Sequence, residues 1–208
     1  MAMFKALLDL IFPPKCEVCR QPGRDALCPE CCRQIKFLRP QLGVYSAAVY
    51  DGVVKEALHR FKFQGRQGLA EPLGVLLVQY LSQAPGLKMS EVEALVPVPL
   101  HRKRLRQRGY NQAELLARVI GRYYDKPVVT ALERQRNTHA QFDLPRQERF
   151  TNLKEAFRVG DRAAVQNRKV MLVDDIYTTG STVGECVRAL KTAGARRIEI
   201  LTLSRAVE

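Results

Sequence analysis

Tryptophan is absent from the chain, and aromatic residues make up only 7 % of it. A surface that holds nucleic acid chiefly by stacking bases needs such rings, so this composition argues against stacking as the main mode of any such contact. Tyr45, Tyr50, Phe61, Phe63 and Tyr110 are the rings on offer, and most read as core. The three histidines, His59, His101 and His139, fall at no spacing that reads as catalytic or metal-binding. No apolar run reaches the roughly 18–20 residues a membrane-spanning helix needs. The opening MAMFKALLDLIFPP has one Lys, is interrupted by Asp9 and has no small-residue cleavage site, so residues 1–12 read as a short amphipathic helix ending before Pro13. There is no low-complexity tract and no repeat beyond a paired cysteine motif. Acidic side chains are scarce relative to basic ones, 21 against 34, which leaves a formal net charge of +13 and favours an anionic, phosphate-bearing partner. The 208 residues, 46 % hydrophobic, suffice for one full domain plus a small module.

Five of the six cysteines lie between Cys16 and Cys32. They form C16-E-V-C19, eight residues, then C28-P-E-C31-C32. Two CxxC turns can bring four thiolates around one tetrahedral Zn²⁺, with Cys16, Cys19, Cys28 and Cys31 as ligands. The competing pattern is a pair of disulfides in a secreted scaffold, which no secretory signal supports. A segment of this size, poor in apolar side chains, gains its fold from the metal. Four thiolates fill the coordination sphere, so the zinc is structural. Cys186 stands alone in a predicted helix and reads as a small core residue.

Residues 13–39 thus form a four-cysteine zinc-ribbon module, and Arg39-Pro40 marks the start of a second unit over 40–208. There, hydrophobic periodicity predicts strands over Val44–Tyr50, Glu93–Val98, Lys126–Leu132, Val170–Val173 and Arg197–Leu203. Helices are predicted over Val53–Phe63, Leu69–Leu81, Asn111–Tyr124 and Thr182–Thr192, and a long polar loop over Glu133–Asn152. Strands alternating with helices predict an α/β fold with a parallel sheet flanked by helices.

The most informative stretch is V170-M-L-V-D174-D175-I-Y-T178-T179-G180-S181-T182, running into a helix. Two adjacent carboxylates at the end of a buried strand only repel each other unless a ligand brings hydroxyl donors or a metal ion. The following residues are small and hydroxylated, with Gly180 permitting close backbone approach. They open a helix, where free N–H groups and the dipole favour an anion. Carboxylates for ribose hydroxyls beside a cradle for phosphate describe a ribose-5-phosphate site at the carboxyl end of a parallel strand. Between Glu93 and Glu114 there is no acidic residue, and R102-K-R-L-R-Q-R108 holds five basic residues in seven. Placed just after a strand of the same sheet, it reads as a diphosphate-binding loop.

The phosphate stretch resembles the signature of the type I phosphoribosyltransferases, which bind 5-phosphoribosyl-1-pyrophosphate (PRPP). The resemblance implies that Asp174 and Asp175 contact the ribose hydroxyls, and that Thr178, Thr179, Gly180, Ser181 and Thr182 wrap the 5′-phosphate. It implies Mg²⁺ arriving with PRPP. Purine-base members carry an acid two residues before the glycine; here Thr178 stands there, which disfavours a hypoxanthine-type transferase. A wider pattern covers Cys16 to about Ser204: the paired CxxC, VPVPL, RGYNQAELLA, Arg134 with Thr138 and Gln141, Arg149 with Asn152, and LVDDIYTTGST. It resembles the competence protein F (ComF) branch of that superfamily. Membership implies a cytoplasmic part in natural transformation or in the use of external DNA, beside a helicase-like partner handling single strands.

Two functions compete. In the first, an enzyme binds PRPP, Asp174 and Asp175 fix the ribose, and Arg104 and Arg108 neutralise the departing pyrophosphate. A loop around Arg134–Arg149 closes over the site. In the second, a non-catalytic module uses the phosphate loop and basic segment to hold single-stranded DNA by its backbone.

Overall fold

The computed structural model describes residues 14–40, 43–135 and 156–207. The N-terminal helix expected over residues 1–12 and most of the long loop, with Thr138, His139, Gln141, Arg149 and Asn152, lie outside the described residues.

The core of the main unit is a four-stranded, all-parallel sheet in the order β1-β6-β5-β2. Its strands are β1 (Val44–Val49), β2 (Ala94–Pro97), β5 (Lys169–Tyr177) and β6 (Arg197–Arg205). Side chains alternate across a strand, and here both faces are covered. Met171 and Val173 of β5, with Leu95, Leu201 and Leu203, join one apolar cluster; Val170 and Leu172, with Ala94 and Val96, join the other. This explains why VMLV is a continuous apolar run.

On the first face lie α2 (Gly52–Phe63), α3 (Ala70–Ser82) and α5 (Gln112–Tyr124), whose buried residues recur at helical spacing. Gly74 of α3 lets that helix approach α5: a Cβ there would lie 2.5 Å from the Cβ of Val119. The second face is covered by α6 (Ser181–Thr192) and by a small antiparallel pair, β3 (Leu132–Arg134) with β4 (Phe157–Val159). Cys186 is fully buried there.

Three expectations need correction. The basic run is the helix α4 (Arg102–Arg108), capped by the His101 side chain at its start and by Gly109, at φ 83°, at its end. Residues 126–132 are not a ladder strand: Val128 makes one parallel bridge to Leu95 on the outer edge of β2, and the chain then leaves to form β3. Finally, β5 does not stop at Val173, because β6 runs on beside it and pairs it out to Tyr177 with Arg205.

The cysteine segment is not a detached bead. Its one short helix is α1 (Pro29–Arg33). Cys16, Leu27, Cys31 and Ile35 share the cluster of Leu58 and Phe61, and Arg60 of α2 donates to the Glu17 carbonyl. Leu38 N–H donates to the Ala47 carbonyl, so the tail of the segment lies along β1. No helix among the described residues is long and apolar enough to cross a membrane.

Candidate functional site

The first cluster is the four cysteines. The Sγ atoms of Cys16, Cys19, Cys28 and Cys31 all lie within 4.8 Å of one another. Cys16 and Cys31 are 3.8 Å apart, and Cys19 and Cys28 are 3.6 Å apart. These separations are far too long for disulfides, and every cysteine is a free thiol. They match the edges, about 3.8 Å, of a tetrahedron with metal–sulfur bonds of about 2.3 Å. The N–H groups of Val18 and Cys28 both donate to Cys16 Sγ. Burial alone would raise the Cys16 thiol, but backbone N–H bonds outweigh it and bring the group down to about 6. Burial and the neighbouring thiols raise Cys31. Cys32 turns to the Leu27 carbonyl, outside the cluster. A donor set of four sulfurs at these distances can hold one structural metal ion, which would tie the two turns together without leaving a coordination position for chemistry.

The second cluster forms where β2 ends at Pro97, opposite Val173, and β5 runs on past it to Tyr177. A cavity of about 520 Å³ opens there. It is lined by Asp174 and Asp175 of β5, Thr178 of the β5–α6 connection, Thr182 of α6, and Arg104 and Arg108 of α4. Arg104 and Arg108 are four residues apart on one helical face and half-buried, while Arg102, Lys103 and Arg106 are exposed on the other. Thr179, Gly180 and Ser181 belong to the same loop but do not line the cavity wall. Gly180 is the N-cap of α6 at φ 76°, and the Thr179 and Ser181 hydroxyls share a 2.8 Å hydrogen bond beside it.

The two carboxylates lie within the β5 ladder, so they project to opposite faces of the sheet. Asp174, on the α6 side, accepts a 2.8 Å bond from the Asp175 N–H. Burial, then the charge of Asp175, pushes its carboxyl up to about 7, against the pull of Lys62 and Arg134. Asp175, on the α2 side, is ion-paired with Lys62, Nζ to Oδ1 2.9 Å.

Sequence reasoning missed Lys62 as a site residue. It also missed Asn111 and Gln112, which line the same cavity. Gln112 is 1 % exposed, and its buried Nε2 has no hydrogen-bond partner among the described residues. Arg134 reaches the cavity from β3, its guanidinium 5.4 Å from the Phe157 ring centroid; burial, then repulsion from Arg104, brings it down to about 10. A signal for Lys62 was present: it sits four residues after Leu58, on the apolar stripe of α2, where a charge needs a partner.

The phosphoribosyl transferase domain family matches residues 105–206. The DNA utilization protein YhgH of Escherichia coli is 33 % identical over 91 % of this chain and 89 % of its own length. The chain belongs to the competence protein F (ComF) family, a branch of the type I phosphoribosyltransferase superfamily. Competence protein F of Haemophilus influenzae is 36 % identical over 72 % of this chain and 66 % of its own length. Competence protein ComFC of Bacillus subtilis is 30 % identical over 91 % and 77 %. Among solved structures, the allosteric regulatory enzyme of purine biosynthesis aligns at a TM-score of 0.47 and 18 % identity, over 70 % of this chain and 30 % of that one.

Proposed function

We propose that this ComF-family protein binds PRPP, or a related ribose-5-phosphate ligand, and serves DNA uptake or the use of external DNA in the cytoplasm. The observation that carries the reading is one cavity with two carboxylates from β5, Thr178 from the β5–α6 connection, Thr182 from the start of α6 and two arginines from α4. Asp174 and Asp175 accept the ribose 2′ and 3′ hydroxyls. The Thr178–Thr182 loop receives the 5′-phosphate on the N–H groups at the start of α6, where the helix dipole favours an anion. Arg104 and Arg108 take the pyrophosphate, which brings Mg²⁺ with it. The same arrangement suits transfer to an acceptor: the acceptor's lone pair forms the new bond to ribose C1 as the bond from C1 to the pyrophosphate oxygen breaks, both electrons of the broken bond leave with pyrophosphate, the acceptor's proton passes to solvent, and the arginines stabilise the departing charge.

The role in DNA use is carried over from the names of the relatives, competence protein and DNA utilization protein. The family's helicase-like partner and a single-stranded substrate belong to the same reading. Zinc is the ion that best suits the four-cysteine cluster. A second reading, a module that holds single-stranded DNA without turnover, is favoured by one feature: Arg102, Lys103 and Arg106 face solvent beside the cavity.

The deciding experiment is a calorimetric titration of wild type and Asp175→Asn with PRPP and Mg²⁺. Loss of charge-assisted hydrogen bonds to the ribose should weaken binding by about ten- to a hundredfold. A wild type that binds no PRPP, or an Asn variant that binds it equally well, refutes the site. If single-stranded DNA then binds with a steep salt dependence, the second reading leads.

A further inference from the structure

Among the described residues, the charged groups that line the cavity are Lys62, Arg104, Arg108 and Arg134 against Asp174 and Asp175, four cations to two carboxylates. Such a cavity is an anion receptor whose carboxylates are already compensated from within. Lys62 makes the closest compensation. Its ammonium lies 2.9 Å from Asp175 Oδ1, and the two side chains are only 16 % and 11 % exposed. Both charges are therefore shielded from bulk water, and each depends on the other.

Lys62 is also held in place from both sides in the chain. Phe61, which precedes it, is fully buried, and its carbonyl accepts a hydrogen bond from the Tyr110 hydroxyl. Phe63, which follows, has the Arg108 guanidinium over its ring at 5.4 Å. The last turn of α2 is thus clamped between the end of α4 and the tip of β5. A cation in the last turn of a helix is favoured by the dipole as well. An ammonium has three donors, and Asp175 takes one of them.

We propose that Lys62 is the built-in cation of the ribose subsite: it positions Asp175 and supplies the positive charge there, so that a ribose 5-phosphate group binds without a divalent metal ion. Lys62 is a positioning residue in this scheme. The inference rests on the ribose-phosphate reading above and goes further, because it assigns the metal requirement to the pyrophosphate end of the ligand alone.

Ribose 5-phosphate is the probe, since it lacks the pyrophosphate that would bring Mg²⁺ by itself. Wild type, Lys62→Met and Lys62→Arg are titrated calorimetrically in EDTA and in Mg²⁺, with thermal melts in parallel. Wild type should bind with the same affinity in both buffers. Lys62→Met should bind about ten- to a hundredfold more weakly in EDTA and recover part of that loss in Mg²⁺. Lys62→Arg, which keeps the charge, should keep metal-independent binding. A purely structural role for Lys62 would not create a metal dependence. Wild-type binding that requires Mg²⁺ overturns the inference, as does Lys62→Met indistinguishable from wild type. If Lys62→Met does not fold, the wild-type and Lys62→Arg arms decide. A wild type that binds neither ribose 5-phosphate nor PRPP overturns the ribose-phosphate reading, and this inference with it.

Discussion

One methyl group, added at two glycines four residues apart on the same helix, should move stability in opposite directions. Gly180 caps α6 at φ 76°, in the left-handed region. A side chain there costs about 1–2 kcal/mol of backbone strain. Alanine also stiffens the unfolded chain, which offsets about 0.4–1 kcal/mol. A Cβ on Gly180 would collide with the Tyr177 hydroxyl and lie 2.9 Å from its Cζ. That steric term is the smaller one, because the obstacle is the far end of a half-buried side chain that can turn away, at the expense of its stacking under Arg205 and part of its packing on the second cluster. The net for Gly180→Ala is a loss of about 1 kcal/mol. In a chain this size that is a melting temperature lower by about 2–4 °C. Gly184 lies inside α6, is exposed, and has open space where a Cβ would go. Gly184→Ala should gain about 0.8–1 kcal/mol from helix propensity and melt higher by a similar interval. The assay is thermal unfolding of both variants, with Gly180→Ala repeated in a Tyr177→Ala background. Strain predicts that most of the loss survives there. A loss that vanishes without Tyr177 would make the collision the cause, and two shifts of the same sign would refute the account of the phosphate loop altogether.

Two further predictions test the other groups. The Asp174 carboxyl titrates at about 7 in the fold against an ordinary 3.8, so the folded state binds its proton more tightly than the unfolded state does. Its contribution to stability is then present at low pH and lost as pH rises from about 4 to about 7, so Asp174→Asn should raise the melting temperature more at pH 8 than at pH 5; an equal effect at both refutes the shift. For the cysteines, purified protein should carry about one zinc per chain, and Cys16→Ser should lose it. Because Cys16 and Leu27 share a core with Leu58 and Phe61, hydrogen exchange should then quicken in α2 as well as in the module; a metal-free wild type with an unchanged fold refutes the site.

What could be read from the sequence was what is encoded within one short stretch. The two CxxC turns set four sulfurs within 4.8 Å because each pair is fixed by its own turn. The β5–α6 connection was legible for the same reason: an apolar run, two acids and a hydroxyl-rich helix start are consecutive residues. The errors arose where a distant segment decides the outcome. The length of β5 depends on β6, which pairs it out to Tyr177. That pairing changes the meaning of Asp174-Asp175, since residues within a ladder alternate between faces and do not share one. The basic run read as a loop because charge density masked its helical register, although Arg104 and Arg108 are spaced for one face.

Lys62 shows why a site is harder to read than a fold. Its partner Asp175 lies 113 residues further along the chain. Nothing in the local pattern names that partner; the pattern says only that a charge occupies a position on the apolar stripe of α2. Physical reasoning can still use that mismatch. A lysine four residues from a core leucine must either reach water or find an anion, and α2 packs against the face of the sheet toward which Asp175 projects. The carboxylate that looked unsupported in the sequence and the ammonium that looked misplaced in it account for each other. The same logic applies to Gln112, whose buried Nε2 has no partner among the described residues and lies at the wall of this cavity, where a ligand's acceptor group can satisfy it.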